Sequence, residues 1–244
     1  PPTSPPSLRG VPSAAPRGRR WHGMDVLDGY LYVFGGGGDQ AIFIVPECGR
    51  YCGWDVQDPF SDLSRLDLAT GQWELLGGSA DNGGGSDVGV VEVNSSGNRR
   101  GWERGNTPRR MRSATEFWPA RRDSTGLVAL GGCFYVFGGQ GPEGLAWSAT
   151  PGLGFYGDLL RYCPTEGVWE DLTPLTTGEA PCERFGHSMA AVNGLVVVFG
   201  GFTGLYFADL NDLFAFDPTE NRWRRLDGLA QGQGPSSRDA TGLT

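Results

Sequence analysis

Lysine is absent from this chain of 244 residues, and all 20 basic side chains are arginine. That bias reads as a GC-rich coding sequence, not as a sign of function. Long apolar runs are missing too. None approaches the roughly 18 residues that a membrane-spanning helix needs, so no membrane partner is expected. Cysteine is sparse and odd in number, at five, which sets aside a disulfide-rich scaffold. Residues 1–18 are Pro-rich and have no apolar centre of the kind a signal peptide carries. A cytoplasmic location is therefore expected; the sequon Asn94-Ser95-Ser96 would matter only after secretion. Positive charge is in deficit as well. A net charge of −8 argues against general nucleic-acid binding.

What the chain has instead is turn-forming residues, with 41 Gly and 17 Pro beside 39% hydrophobic residues. That mixture suits many short strands around a packed core. Four Pro-x-x-Arg segments recur, ending at Arg19, Arg122, Arg184 and Arg238. Sixteen residues after each of the first three arginines stands the first Gly of a pair: Gly35-Gly36, Gly138-Gly139 and Gly200-Gly201. Before each pair runs an apolar strand: Leu31–Phe34, Phe134–Phe137 and Val196–Phe199. Such continuous runs suit strands buried on both faces. A two-residue turn precedes each strand: Asp28-Gly29, Gly131-Gly132 and Asn193-Gly194. These dipeptides favour tight hairpin turns, in which both central residues take positive φ.

A second hairpin follows in each copy. It opens at Asp62-Leu63, Asp158-Leu159 and Asp212-Leu213, and 11 residues after each Asp stands Trp73, Trp169 or Trp223. Two hairpins in sequence make a four-stranded antiparallel sheet. The three tryptophans are expected to pack between sheets.

Arg-x-x-His, an apolar strand ending in Gly-Gly, Asp-Leu and a later Trp together resemble the Kelch motif. The third copy, from Arg184 to Leu226, is nearly complete; the second has Thr125 where the first and third have His22 and His187. The resemblance implies an all-β fold, a β-propeller of four-stranded antiparallel Kelch blades. Three blades and the start of a fourth are present, as part of a larger propeller. The expected division is a Pro-rich linker at 1–18, blades at 19–76, 119–175 and 181–229, a Gly/Arg-rich insertion at 77–118, and a further blade beginning within 235–244.

Length varies only at two connections. From Gly-Gly to Asp the gap is 26, 19 and 11 residues, and from Trp to the next Arg it is 49, 15 and 15. The insertion after the first copy, about 34 residues beyond the others, is expected to be a solvated loop. It carries Arg99, Arg100, Arg104, Arg109, Arg110 and Arg112, a stretch able to meet an acidic partner. Variable loops on a fixed scaffold are where recognition resides. The aromatic residues of the Gly-Gly-to-Asp connections are therefore the candidate partner contacts: Phe43, Tyr51, Trp54, Phe60, Trp147, Phe155, Phe202 and Tyr206.

The remaining candidates are weighed against plainer readings. Arg19, Arg122 and Arg184 either ring a central channel or bind backbone carbonyls or a carboxylate of an adjacent blade. The second reading is preferred, because each copy keeps its Arg whatever its loops do. Glu179, Glu183 and His187 resemble the iron motif of plant Kelch proteins of glucosinolate breakdown, but that motif has Asp where Glu183 stands. His187 is also simply the repeat's own His. The copper site of the galactose oxidase family needs two His and two Tyr, and both histidines here are motif positions. Neither a Ser-His-Asp set nor a phosphate loop is discernible, so no catalytic residue, metal or cofactor is expected. Cys48 and Cys52 are read as free thiols, and Cys133 and Cys163 as small apolar strand residues. The expected function is non-catalytic binding of another protein. The alternatives are a metal-dependent (Fe or Cu) Kelch-type enzyme and a structural component of a larger assembly.

Overall fold

The computed structural model describes residues 15–41, 56–78, 117–141, 154–205, 208–229 and 234–239. The first repeat supplies β1 (Gly23–Leu27), β2 (Tyr30–Phe34), β3 (Gly37–Ala41), β4 (Val56–Pro59), β5 (Leu63–Asp67) and β6 (Trp73–Gly77). The second supplies β7 (Gly126–Leu130), β8 (Cys133–Phe137), β9 (Gln140–Gly141), β10 (Gly154–Phe155), β11 (Leu159–Cys163) and β12 (Val168–Asp171). After β13 (Thr177–Gly178), the third runs through β14 (Ser188–Val192), β15 (Leu195–Thr203), β16 (Ala208–Asp217) and β17 (Arg222–Arg225). Each repeat forms a four-stranded antiparallel sheet, β1-β2-β5-β6, β7-β8-β11-β12 and β14-β15-β16-β17, and the first two repeats each add a two-stranded ribbon, β3-β4 and β9-β10. The fold is an all-β arrangement of propeller blades. The ribbons β3-β4 and β9-β10, inside connections read as loops, were not foreseen, nor was β13, which lies on the way from the second blade to the third and pairs in parallel with the outer strand β17.

The turns follow from local stereochemistry. Asp28-Gly29, Gly131-Gly132 and Asn193-Gly194 all sit at positive φ, the signature of the tight hairpin turn. The Gly-Gly pairs are needed twice over. Gly138 and Gly139 have φ of 62° and 99°. A Cβ on Gly138 would lie 2.5 Å from the carbonyl oxygen of Arg184, and one on Gly139 2.8 Å from that of Asp123. Only glycine lets the neighbouring backbone come so close.

Two apolar layers hold the blades together. Tyr32, Phe34 and Leu63 of the first blade meet Leu127, Phe134, Val136, Leu160 and Trp169 of the second. Tyr135, Phe137 and Leu159 on the second blade's other face meet Met189, Val196, Val198, Phe216 and Trp223 of the third. The middle blade is thus buried on both faces, as its continuous apolar strand implies. On the third blade Val196 and Val198 are buried, while Leu195, Val197 and Phe199 are half-buried. Trp169 and Trp223 fill these layers: Trp169 packs on Phe34 and Trp223 on Phe137, with ring centroids 5.0 Å and 5.4 Å apart. The inner strands also converge. Gly23 lies against Leu127 and Gly126 against Met189, and Asp25 Oδ2 accepts the N–H of Ala129 at 2.8 Å.

Candidate partner-binding face

The arginine of each repeat has two jobs, one for its side chain and one for its backbone. The Arg122 guanidinium gives two parallel bonds to the carboxylate of Asp158 and a third to the carbonyl of Gly138. Arg19 does the same with Asp62 and Gly35, and Arg184 with Asp212 and Gly200. The bonds to backbone carbonyls are as expected, but each carboxylate belongs to the arginine's own blade, not to an adjacent one, which corrects that part of the expectation. With side-chain exposures of 4%, 1% and 0% for Arg19, Arg122 and Arg184, these groups cannot form a channel ring that grips a ligand. It is the backbone that crosses between blades. Arg122 donates its N–H to Phe60 and accepts from Gly36; Arg184 repeats this with Tyr156 and Gly139, and Arg238 with Leu210 and Gly201.

This clamp closes the base of every Gly-Gly-to-Asp connection, because its two ends are the glycine carbonyl and the aspartate. The length differences among the repeats therefore lie beyond a fixed gate. Just past the gate, the residue after each arginine forms a two-bond bridge with the residue after Gly-Gly: Arg20 with Gly37, Asp123 with Gln140 and Phe185 with Phe202. The first-named positions lie three residues before the inner strands and differ chemically from blade to blade.

On the first blade, the guanidinium of Arg20 stacks 4.5 Å from the ring of Trp21, which is 47% exposed and has φ of 57°. The same position is Ser124 and Gly186 in the later repeats, also with positive φ. On the second blade, Asp123 Oδ1 accepts from Gln140 Nε2 at 2.9 Å and from Ser124 Oγ at 2.8 Å. Burial raises its carboxyl above the usual range, against those hydrogen bonds and the charge of Arg20. At the third blade, Phe185 and Phe202 join Phe155 of the second blade in an aromatic cluster, with centroids of Phe155 and Phe185 at 5.1 Å and of Phe185 and Phe202 at 5.5 Å.

The aromatic candidates divide accordingly. Phe43, Tyr51, Trp54, Trp147 and Tyr206 lie outside the described residues. Phe60 is 1% exposed, and its ring covers the Arg19 guanidinium at 4.6 Å. Phe155 is buried beneath Phe185. Both are corrected to packing residues: the Phe60 ring shields the Arg19 guanidinium, and Phe155 fills the space beneath Phe185. Phe202 is half-buried at the edge of its cluster. Arg20, Trp21 and Phe185, which flank the same connections, were not among the sequence candidates. The signal was available: the residue after the repeat arginine changes character from copy to copy while its flanks stay fixed.

The metal motif does not assemble. Glu179 is exposed and lies 3.5 Å from Arg225, whereas His187 is enclosed edge-on against Phe137. Among the described residues, no three of His, Cys, Asp and Glu come together to hold a metal. His187 is held neutral, its pKa lowered to about 3 by burial and then by the charge of Arg184. Cys133 and Cys163 form a disulfide, where the sequence suggested separate apolar thiols. They stand opposite each other at the ends of β8 and β11, a pairing that only the register brings about. Cys48, Cys52, the Arg99–Arg112 stretch and the sequon lie outside the described residues.

Residues 75–244 match the family model described as the KLHDC2/KLHL20/DRC7 Kelch-repeats domain. The chain is similar to Kelch domain-containing protein 3 of Homo sapiens, with 26% identity over 93% of this chain and 45% of that protein. It is also similar to N-(sulfonatooxy)prop-2-enimidothioate sulfolyase of Thlaspi arvense, with 28% identity over 52% of this chain and 33% of that protein. Among solved structures it is similar to that of YjhT, at 15% identity and a TM-score of 0.48, covering 87% of this chain and 52% of that one. The chain spans less than half the length of the curated relatives named here. No helix among the described residues is long and apolar enough to cross a membrane.

Proposed function

Because this chain belongs to the KLHDC2/KLHL20/DRC7 Kelch-repeats domain family, we propose that it works as a non-catalytic platform for another protein, which it grips on the face carrying the Gly-Gly-to-Asp connections. The observation that carries this reading is the clamp. Arg19–Asp62, Arg122–Asp158 and Arg184–Asp212 hold the roots of three connections of different length in one repeated geometry. Such an arrangement keeps the scaffold constant and leaves the loops free to differ, which suits recognition.

Within that face, the contacts proposed are Trp21 with its stacked Arg20 on the first blade, and Phe185 with Phe202 on the third. The aromatic residues Phe43, Tyr51, Trp54, Trp147 and Tyr206 of the same connections complete the set. Trp, Tyr and Arg are the side chains that most often dominate binding at interfaces. A non-glycine residue at positive φ carries a conformational cost, and such residues concentrate at working sites. Trp21 is one of these, in a position that glycine fills in the third repeat.

The test is affinity purification of the full-length native protein, with partners identified by mass spectrometry. A stoichiometric protein partner, lost when residues 37–61 and 140–157 are shortened, supports the platform. A protein that emerges without a partner, or keeps one after both loops are shortened, overturns it and moves attention to small-molecule chemistry.

A further inference from the structure

We propose that Cys133 and Cys163 form a thiol-redox switch that sets the rigidity of the second blade's outer hairpin. The inference comes from comparing the three blades at one register position. In the first blade, the last residue of β5 is Asp67, paired with Tyr30. Its Oδ1 accepts the N–H groups of Ala69 and Thr70, which ties down the turn into β6. In the third blade, Asp217 accepts those of Thr219 and Glu220 in the same way. Leu195 stands opposite it, one step beyond the Val196–Phe216 pair.

The second blade departs from this at both positions together. Cys163 stands where the aspartate belongs, and Cys133 faces it one step beyond the Tyr162–Phe134 pair, with Cα atoms 4.2 Å apart. The turn keeps its backbone bonds, from the N–H groups of Glu166 and Gly167 to the carbonyl of Cys163. The side-chain cap is gone. A covalent bond across the strands stands in its place, and it holds the turn that leads to Trp169, the residue packed against Phe34 of the first blade.

The two cysteines differ in exposure. Cys163 is buried, whereas Cys133 is half-buried beside the exposed Gly131-Gly132 turn. A reductant's thiolate therefore attacks Sγ of Cys133. The bonding electron pair leaves with Sγ of Cys163, which takes up a proton. A second thiol of the reductant then displaces Cys133 as a free thiol and leaves the reductant as a disulfide. A small-molecule disulfide reverses both steps. The reduced blade then has neither the bond nor the aspartate cap.

The native full-length protein is incubated with excess dithiothreitol without denaturant. Differential alkylation with peptide mapping separates this pair from the other cysteines, while melting and deuterium exchange are followed. The expected result is alkylation of Cys133 and Cys163 in protein that stays folded, faster exchange across 163–169, and a melting temperature lower by about 5–10 °C. Replacing the pair by the third blade's own residues, Cys133→Leu with Cys163→Asp, should restore the turn cap. That variant should melt nearer the oxidised protein and ignore dithiothreitol, whereas Cys133→Ser with Cys163→Ser should resemble the reduced state. A bond that resists dithiothreitol in the folded protein, reduction that unfolds the whole domain, or alkylation without change in exchange and melting would each overturn the proposal.

Discussion

Arg184 and Asp212 are joined by two parallel hydrogen bonds across 28 residues of chain, and the arginine side chain in that pair is wholly buried. Removing the carboxylate leaves a charged guanidinium enclosed with only carbonyl and sulfur partners. Asp212→Ala is expected to destabilise the fold by about 3–5 kcal/mol in urea unfolding. The exposed pair Arg224–Glu220 provides the contrast, since Glu220→Ala should cost less than about 1 kcal/mol. Equal losses at the two sites would show that the clamp is not a structural anchor.

Gly139 combines a φ of 99° with a carbonyl that already fills the space of a Cβ. Gly139→Ala should cost at least ~2 kcal/mol, since both strain and collision apply. Gly18→Ala is the control, because nothing lies within 4 Å of a Cβ there. Thermal melts of the two variants should separate clearly.

His187 connects stability to acidity. Its pKa falls from 6.5 to about 3 on folding, so the folded protein binds fewer protons than the unfolded chain between those values. The stabilisation is complete above about pH 6.5 and is lost as the pH falls towards 3, by up to about 1.4 kcal/mol per pH unit. His22, also lowered by burial and by Arg19, adds in the same direction. His187→Thr, which copies the second repeat's Thr125, should flatten the slope in melts recorded from pH 7 to about pH 4. An unchanged slope would place the acid sensitivity elsewhere.

Trp21→Gly gives this position the residue that the third repeat has at Gly186, with φ of 64° there against 57° at Trp21. The melting temperature should stay the same or rise, since glycine adopts that conformation without strain. Binding of the partner recovered by affinity purification should weaken by tenfold or more, a change of about 1.4 kcal/mol. Retained affinity would remove Trp21 from the proposed contact set.

The sequence by itself determined the parts governed by a few consecutive residues. Asp28-Gly29 and Asn193-Gly194 specify their turns because backbone sterics at two residues decide them. The apolar run Phe134–Phe137 implies burial on both faces, and the spacing from Arg to Gly-Gly to Asp to Trp implies paired hairpins. That set the sheets and their order within each blade.

Only the tertiary structure decided which distant groups meet. Arg122 could have reached either blade; strand register delivers Asp158 of its own blade to the guanidinium and sends its backbone to the next. Phe60 and Phe155 read as loop aromatics, yet they pack inward because the clamp's buried charge needs a cover and Phe185 needs a neighbour. Cys133 and Cys163 lie 30 residues apart in sequence, and nothing local marks them as partners. They meet because β8 and β11 pair at one register, and a shift of one residue would have turned them to opposite faces.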